Sequence, residues 1–189
     1  MGNLVVTEFV TLDGVIEDPG GGDKSARGGW AFQFDRGAEG DKFKLDELMA
    51  SDAQLLGRVT YEGFAAAWPT MEGTGAFGEK MNAMPKFVVS STLEDPTWNN
   101  TTVLRGDLVS EVGGLKERFA GDILVAGSAQ LVQALFAHDL VDELRLMVFP
   151  VVLGAGKRLF ADAPSTVPLT LVEARQTGAV ATLTLRREP

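Results

Sequence analysis

The sequence predicts an α/β protein, a mostly parallel sheet flanked by helices and ended by an antiparallel hairpin. Three observations predict it. Short apolar strands alternate with helical stretches along most of the chain, the pattern of βα units on a parallel sheet. Two of these strands end at a glycine, Gly57 and Gly127, and pass into a helix within three residues. Near the C-terminus two alternating segments flank Thr177-Gly178, which reads as a hairpin and so as an antiparallel edge.

Each element follows from local pattern. Leu4 to Thr11 is rich in β-branched residues and runs into Asp13-Gly14, a strand ending in a turn. Pro19 to Trp30 is glycine-rich and loop-like, and loops of that length in compact domains are usually functional or mobile. Asp41 to Ser51 reads as a helix whose stripe Asp41, Leu45, Leu48 and Asp52 would face inward. Ala53 to Leu56 is a short buried strand, followed by a helix over about 60–66 with Thr60 as a plausible N-cap. Pro69 to Gly78 reads as loop, then Lys86–Ser90 and Thr101–Arg105 as strands. Leu108 to Phe119 is an amphipathic helix weakened by Gly113-Gly114, and Asp122–Ala126 a short apolar strand. Ser128 would cap a helix running to about His138. Val141–Val148 is a strand, and Leu169–Gln176 with Val180–Arg187 forms the hairpin.

Length and composition bound the function. The 189 residues suit one domain spanning 1–189, and a chain this long buries roughly 70% of its extended surface on folding. Hydrophobic residues make up 45% and charged ones 23%, which argues against disorder. Mean hydropathy is +0.07, no apolar run reaches the length of a membrane helix, and the N-terminus lacks a secretory pattern. Cysteine is absent, which suits a cytoplasmic location. Seventeen basic against 26 acidic residues give a net charge of −9, so nucleic acid is a disfavoured partner. One His and no Cys leave no zinc pattern, and no EF-hand loop is present, so no metal is expected. A Ser/His/Asp triad would need His138, which sits near a helix end where capping is the plainer role.

The two strand–glycine–helix junctions are the candidate chemistry: Leu55-Leu56-Gly57-Arg58-Val59-Thr60 and Val125-Ala126-Gly127-Ser128-Ala129-Gln130-Leu131. Free amides and the positive end of a helix dipole at the carboxyl ends of strands favour phosphate. The plainer reading is tight turns and caps. Standard nucleotide signatures are missing: no Gly-x-Gly-x-x-Gly follows a strand, and Leu153-Gly154-Ala155-Gly156-Lys157-Arg158 lacks the Walker spacing.

Leu12-Asp13-Gly14-Val15-Ile16, Leu56-Gly57-Arg58-Val59-Thr60-Tyr61-Glu62, Val88-Val89-Ser90-Ser91 and Ile123 to Ser128 resemble, in order and spacing, the dihydrofolate reductase-like proteins. Leu140-Val141-Asp142-Glu143-Leu144 and Pro150 to Phe160 look more like the branch holding the reductase domain of the bifunctional riboflavin-biosynthesis deaminase/reductase. The resemblance covers nearly the whole chain. It implies a three-layer fold with a central sheet of about eight strands, an NADPH-dependent reductase, a small heterocyclic substrate and a homodimer, to which the C-terminal hairpin with Leu183 and Leu185 would contribute. By position it places Arg58 and Thr60, beside Gly57, near the cofactor phosphates, and Ser90, Ser91 and Arg105 around the adenosine end. Gly127, Ser128, Ala129, Gln130 and Leu131 would hold the pyrophosphate, with Val15 and Ile16 bordering the nicotinamide. One departure is Ser128, where the family usually carries a second glycine.

Hydride transfer needs a positioned nicotinamide and a proton. Asp41, at the interval from Gly57 that the family's acidic residue keeps, is the candidate catalytic proton source, and a helix-start Asp favoured by the dipole is the plain alternative. Glu17 and Asp13 are other carboxylates near the crevice. Phe9, Trp30 and Phe64 could form an apolar slot for a heterocycle, or plain core. Lys157-Arg158 is the candidate for a substrate phosphate. The chain lacks the ligands of a zinc deaminase. A nucleotide-binding module without turnover is the rival reading.

Overall fold

The computed structural model describes residues 1–22, 24–160 and 166–187. Eight strands form one sheet in the order β4-β3-β2-β5-β1-β6-β8-β7. They are β1 (Leu4–Thr11), β2 (Ser51–Gly57), β3 (Lys86–Val89), β4 (Thr101–Leu104), β5 (Asp122–Ala126), β6 (Glu143–Phe149), β7 (Leu169–Thr177) and β8 (Val180–Arg187). All neighbours from β4 to β6 are parallel, and β8 runs antiparallel to both β6 and β7. The expected hairpin is therefore there, with β8 inserted beside β6 and β7 left as the edge.

Helices α1 (Gly37–Met49), α2 (Arg58–Ala67) and α3 (Gly75–Ala83) cover one face, and α4 (Leu108–Arg118) and α5 (Ala129–Ala137) the other. The three layers follow from the strands' burial. Central strand β1 has no solvent face: Leu4, Val6 and Val10 pack against α4 and α5, while Val5 packs with Leu48 of α1 and Tyr61 of α2. A third cluster, Trp30, Ala31, Met147, Phe149 and Val180 with Phe9, Phe34 and Phe43 against it, lies beyond α1.

Three expectations are corrected. Residues 75–83, read within or beside a loop, form α3; its Phe77, Met81 and the following Met84 pack on the sheet at helical spacing, which outweighs three glycines nearby. Gly113-Gly114 does not break α4, where Asp107 caps Ser110 and Val112 and Leu115 are buried. Leu183 and Leu185 are not a free apolar edge, because they pack on the main core; the exposed apolar residues of the hairpin are Leu171 and Val172 on β7. Among the described residues no helix is long and apolar enough to cross a membrane.

Candidate active site at the carboxyl edge of the sheet

Because β4, β3, β2, β5 and β1 are parallel, their carboxyl ends share one edge. That edge carries, in sheet order, Arg105, Ser90 and Ser91, Gly57 to Thr60, Gly127 to Leu131, and the segment after β1. The row covers four inter-strand steps, about 19 Å. Pairing of β1 with β5 ends at Thr7 and Ala126, while pairing of β1 with β6 continues to Thr11 and Phe149. A crevice therefore opens between β1 and β5 from Glu8 onward, at the sheet's switch point.

The two glycine junctions, after β2 and β5 on one side of this opening, are locked together by two hydroxyls. The Gly57 amide donates to Ser128 Oγ at 2.9 Å, the Ser128 amide donates to Thr60 Oγ1 at 2.9 Å, and Ser128 Oγ donates to the Ala126 carbonyl at 3.1 Å. Neither hydroxyl caps its helix as expected, since both are spent on this clasp. Gly127 and Ser128 are both left-handed, with φ of 57° and 58°, and the described residues contain no cis peptide. Glycine is required at 127: a Cβ there would meet Thr60 Oγ1 at 2.9 Å. Beyond it the first-turn amides of α5, Ala129, Gln130 and Leu131, are the orphan donors of a helix start.

Farther along the edge, Ser90 Oγ accepts the Thr92 and Leu93 amides, Ser91 is exposed, and exposed Arg105 donates to the Leu93 carbonyl. Arg58 is held by Glu62 one turn on, at 2.9 Å. A hollow of about 300 Å³ adjoins both arginines' partners, lined by Tyr61, Glu62, Ala65, Leu93 and Asp95 among others.

On the other side of the crevice the loops after β1 and β6 interlock. Asp13 accepts from Thr11 Oγ1 at 2.6 Å and from the Gly154 amide at 2.8 Å, which hold its carboxyl down to about 2. Arg158 donates to the Asp13 carbonyl and pairs in an isolated bridge with Val15, so it braces the loop; Lys157 stands 3.9 Å from Glu17. Val15 and Ile16 are buried, and the Ile16 amide donates to the Lys157 carbonyl.

Asp41 does not face the crevice. Its side chain is 65% exposed and paired with Arg36 at 2.6 Å. The inward stripe of α1 is offset by one position, with Gly40, Glu47 and Leu48 buried and Lys44 half-buried, and it carries charges that sequence patterning places outside. Lys44 Nζ donates to Thr7 Oγ1 and to Glu47 Oε2, each at 2.6 Å, and lies 5.5 Å from the Phe9 ring centroid. Arg145 of β6 stands 4.0 Å from Glu47 and pairs with Glu143 and Asp122. On β1, Glu8 is 5% exposed, one of its oxygens has no hydrogen-bond partner, and burial pushes its carboxyl well above the usual range.

The three aromatic candidates do not form one slot. Phe9 packs on Phe149 at 5.3 Å and under Arg36, and Trp30 is buried edge-on against the same Phe149 with its indole N–H on the Glu17 carbonyl. Phe64 belongs to a separate cluster with Trp68. Phe149, Phe34 and Phe43 are the partners of Phe9 that pattern reading missed.

A family model described as the RibD C-terminal domain matches residues 3–183. The chain belongs to the RibD C-terminal domain family. Among curated proteins it is 31% identical to YyaP, an uncharacterized protein of Bacillus subtilis (strain 168), over 91% of this chain and 87% of that protein. Two solved structures show the fold. RibD of Acinetobacter baumannii superposes over all of this chain and 59% of its own, with TM-score 0.69 and 17% identity. Dihydrofolate reductase of Enterococcus faecalis, solved with NADP(H), covers 99% of this chain and 97% of its own, with TM-score 0.63 and 16% identity. The family membership and these neighbours establish a reductase-type fold, the dihydrofolate reductase-like architecture that the motifs implied.

Proposed function

We propose that this RibD C-terminal-type domain is a cytoplasmic, homodimeric NADPH-dependent reductase of a small heterocycle, of the pterin or ribosylaminopyrimidine kind. The observation that carries the reading is the clasp of Gly57, Thr60, Gly127 and Ser128, which joins the β2 and β5 junctions beside the β1–β5 crevice. It fixes the glycine turn, whose residue 127 has room for no Cβ against Thr60, directly before the unpaired first-turn amides of α5, which would receive a diphosphate. NADPH, when bound, would supply the hydride.

The chain's own residues divide the remaining work. Ala129, Gln130 and Leu131 would receive the diphosphate, with Arg58 adding a cation from the neighbouring junction. Ser90, Ser91 and Arg105 would take the adenosine end, Arg105 offering a planar fork to a 2′-phosphate that a net charge of −9 otherwise repels. Val15 and Ile16 would wall the nicotinamide. The substrate ring would lie against Phe9, beside the Lys44–Glu47 pair, while Trp30 supports that wall from the core; Phe64, in a separate cluster, would not reach it. The homodimer would form through β7, an edge strand with Leu171 57% and Val172 48% exposed.

Absorbance at 340 nm tests the activity across a panel of pterins, pyrimidines and quinones. Oxidation of NADPH dependent on one class supports the reading. NADPH binding with no turnover on any of them leaves the nucleotide-binding module instead.

A further inference from the structure

Thr7 and Phe9 of β1 point to the α1 face of the sheet, while Glu8 between them alternates to the face of Val6 and Val10. Past Thr7 the strand no longer pairs with β5, so Phe9 flanks the open crevice. Two cations stand over its ring, Arg36 Cζ at 5.3 Å and Lys44 Nζ at 5.5 Å from the centroid. An ammonium carries three N–H donors. Lys44 spends two of them on Thr7 Oγ1 and Glu47 Oε2, and the third has no acceptor among the described residues. The side chain is 16% exposed, which leaves that donor open to a ligand beside Phe9. Glu47 is not open in the same way. Its side chain is 3% exposed, Oε2 accepts from both Thr7 and Lys44, and Oε1 is turned towards Arg145 at 4.0 Å. Arg36 spends Nε on Asp41, and its terminal nitrogens have no acceptor among the described residues. Asp35 accepts the Gly37 amide. The polar groups presented at Phe9 are therefore donors, and the carboxylates Asp35, Asp41 and Glu47 are each occupied.

We propose that Lys44 is the specificity-determining residue of the substrate site: its third N–H donates to a neutral acceptor, a ring carbonyl or imine nitrogen, on the edge of a heterocycle lying against Phe9, so that the site takes oxo-substituted rings and rejects diamino-substituted ones. This rests on the reductase reading and names the edge of the ring that is recognised. The charge balance selects a neutral acceptor over a phosphate. Lys44 and Glu47 cancel each other, as do Arg36 and Asp41, so the two pairs around Phe9 leave no net positive charge for a polyanion. Rejection follows from the same donors. An amino group set against an ammonium brings donor to donor and loses its water without gaining an acceptor, and a site built on hydrogen bonds discriminates strongly against a ring that cannot make them.

Two pteridines of one ring skeleton test this: lumazine, which carries oxo groups at positions 2 and 4, and 2,4-diaminopteridine. Each is titrated at neutral pH by its own fluorescence against protein saturated with NADP+, which has no hydride to give. Lys44→Met keeps an unbranched apolar stem and removes the donors, but leaves Glu47 buried without its cation. The double variant Lys44→Met/Glu47→Gln removes the pair together. Lumazine should bind the wild type at least about tenfold more tightly than 2,4-diaminopteridine. It should lose about ten- to a hundredfold in both variants, while 2,4-diaminopteridine changes by less than about threefold. A lysine that only supports the fold would weaken both ligands alike and leave their ratio unchanged. Equal or tighter binding of 2,4-diaminopteridine by the wild type, a preference for lumazine that survives in the folded double variant, or parallel loss of both ligands overturns the inference. Binding of NADP+ with neither pteridine bound overturns it as well and leaves the cofactor reading standing. Absence of NADP+ binding to the wild type removes the cofactor reading and the inference with it.

Discussion

Replacing Ser128 with alanine should pull the two junctions apart. Ser128 Oγ accepts from the Gly57 amide and donates to the Ala126 carbonyl, both in part-buried surroundings. Truncation leaves a donor and an acceptor unmatched, at about 1–3 kcal/mol for a buried group without a partner. Water reaches part of this site, so about 2 kcal/mol is expected. For a chain of this length that is a drop of about 4–8 °C in Tm. Ser128→Gly loses the same hydrogen bonds but relieves the left-handed φ of 58°, and should recover about 0.5–1 kcal/mol relative to alanine after its own entropy cost. Both variants should weaken NADPH, because the Gly57–Thr60 junction is no longer registered against the α5 amides. Urea unfolding followed by tryptophan fluorescence, with an NADPH titration on the same samples, reads both effects. Ser128→Ala within 0.5 kcal/mol of wild type and with unchanged Kd would refute the clasp.

Four further outcomes are expected. Arg105→Ala should cost NADPH about 1.5–3 kcal/mol, roughly ten- to a hundredfold in Kd, and leave NADH nearly unchanged; equal losses would remove Arg105 from the 2′-phosphate. Asp41→Asn should leave turnover within about threefold, since the carboxylate is exposed on Arg36, whereas a loss of 10²–10⁴, the range roughly expected of a general acid, would return it to the chemistry. Asp13 is held low by Thr11 and the Gly154 amide, so its contribution to stability is complete above the unfolded value near 4 and lost as pH falls towards 2. Thermal melts of Asp13→Asn should lack that acid step. Leu171→Glu on β7 should convert a particle of twice the chain mass to one of 20 kDa in light scattering, and a wild type already at 20 kDa would count against the dimer.

How far the sequence could be read depended on where burial and polarity agree. Strands such as Leu4–Thr11 and Asp122–Ala126 are legible because short apolar runs rich in β-branched residues bury best inside a sheet. The glycines that end β2 and β5 are legible because a strand passes into a helix that abruptly only through a permissive backbone. The offset on α1 arises from the opposite case. Lys44 and Glu47 point inward as a mutually satisfied pair, and a pattern that assigns charge to solvent shifts the stripe by one residue and turns Asp41 towards the site. Glu8 left a trace, a carboxylate among the apolar and threonine residues of a central strand, but its burial where β1 and β5 part requires knowing that β5 stops pairing at Ala126. The aromatic slot failed for a topological reason: Phe64 on α2 and Phe9 on β1 pack in different clusters on the sheet. Helix α3 was hidden by its glycines, although Phe77, Met81 and Met84 carry its spacing.

The most direct test of the central claim, that the carboxyl edge of the sheet is a dinucleotide site, is an equilibrium titration of the wild type and Gly127→Val with NADPH. A valine Cβ at 127 meets Thr60 Oγ1 at 2.9 Å and sits on a backbone with φ of 57°, so the change falls on the cradle. Circular dichroism establishes that the variant is folded before it is titrated. One NADPH bound per wild-type chain, with affinity lost or reduced at least about tenfold in Gly127→Val, is the result this account predicts. Absence of saturable binding to the wild type at millimolar NADPH, or equal affinity in a folded Gly127→Val, would contradict it.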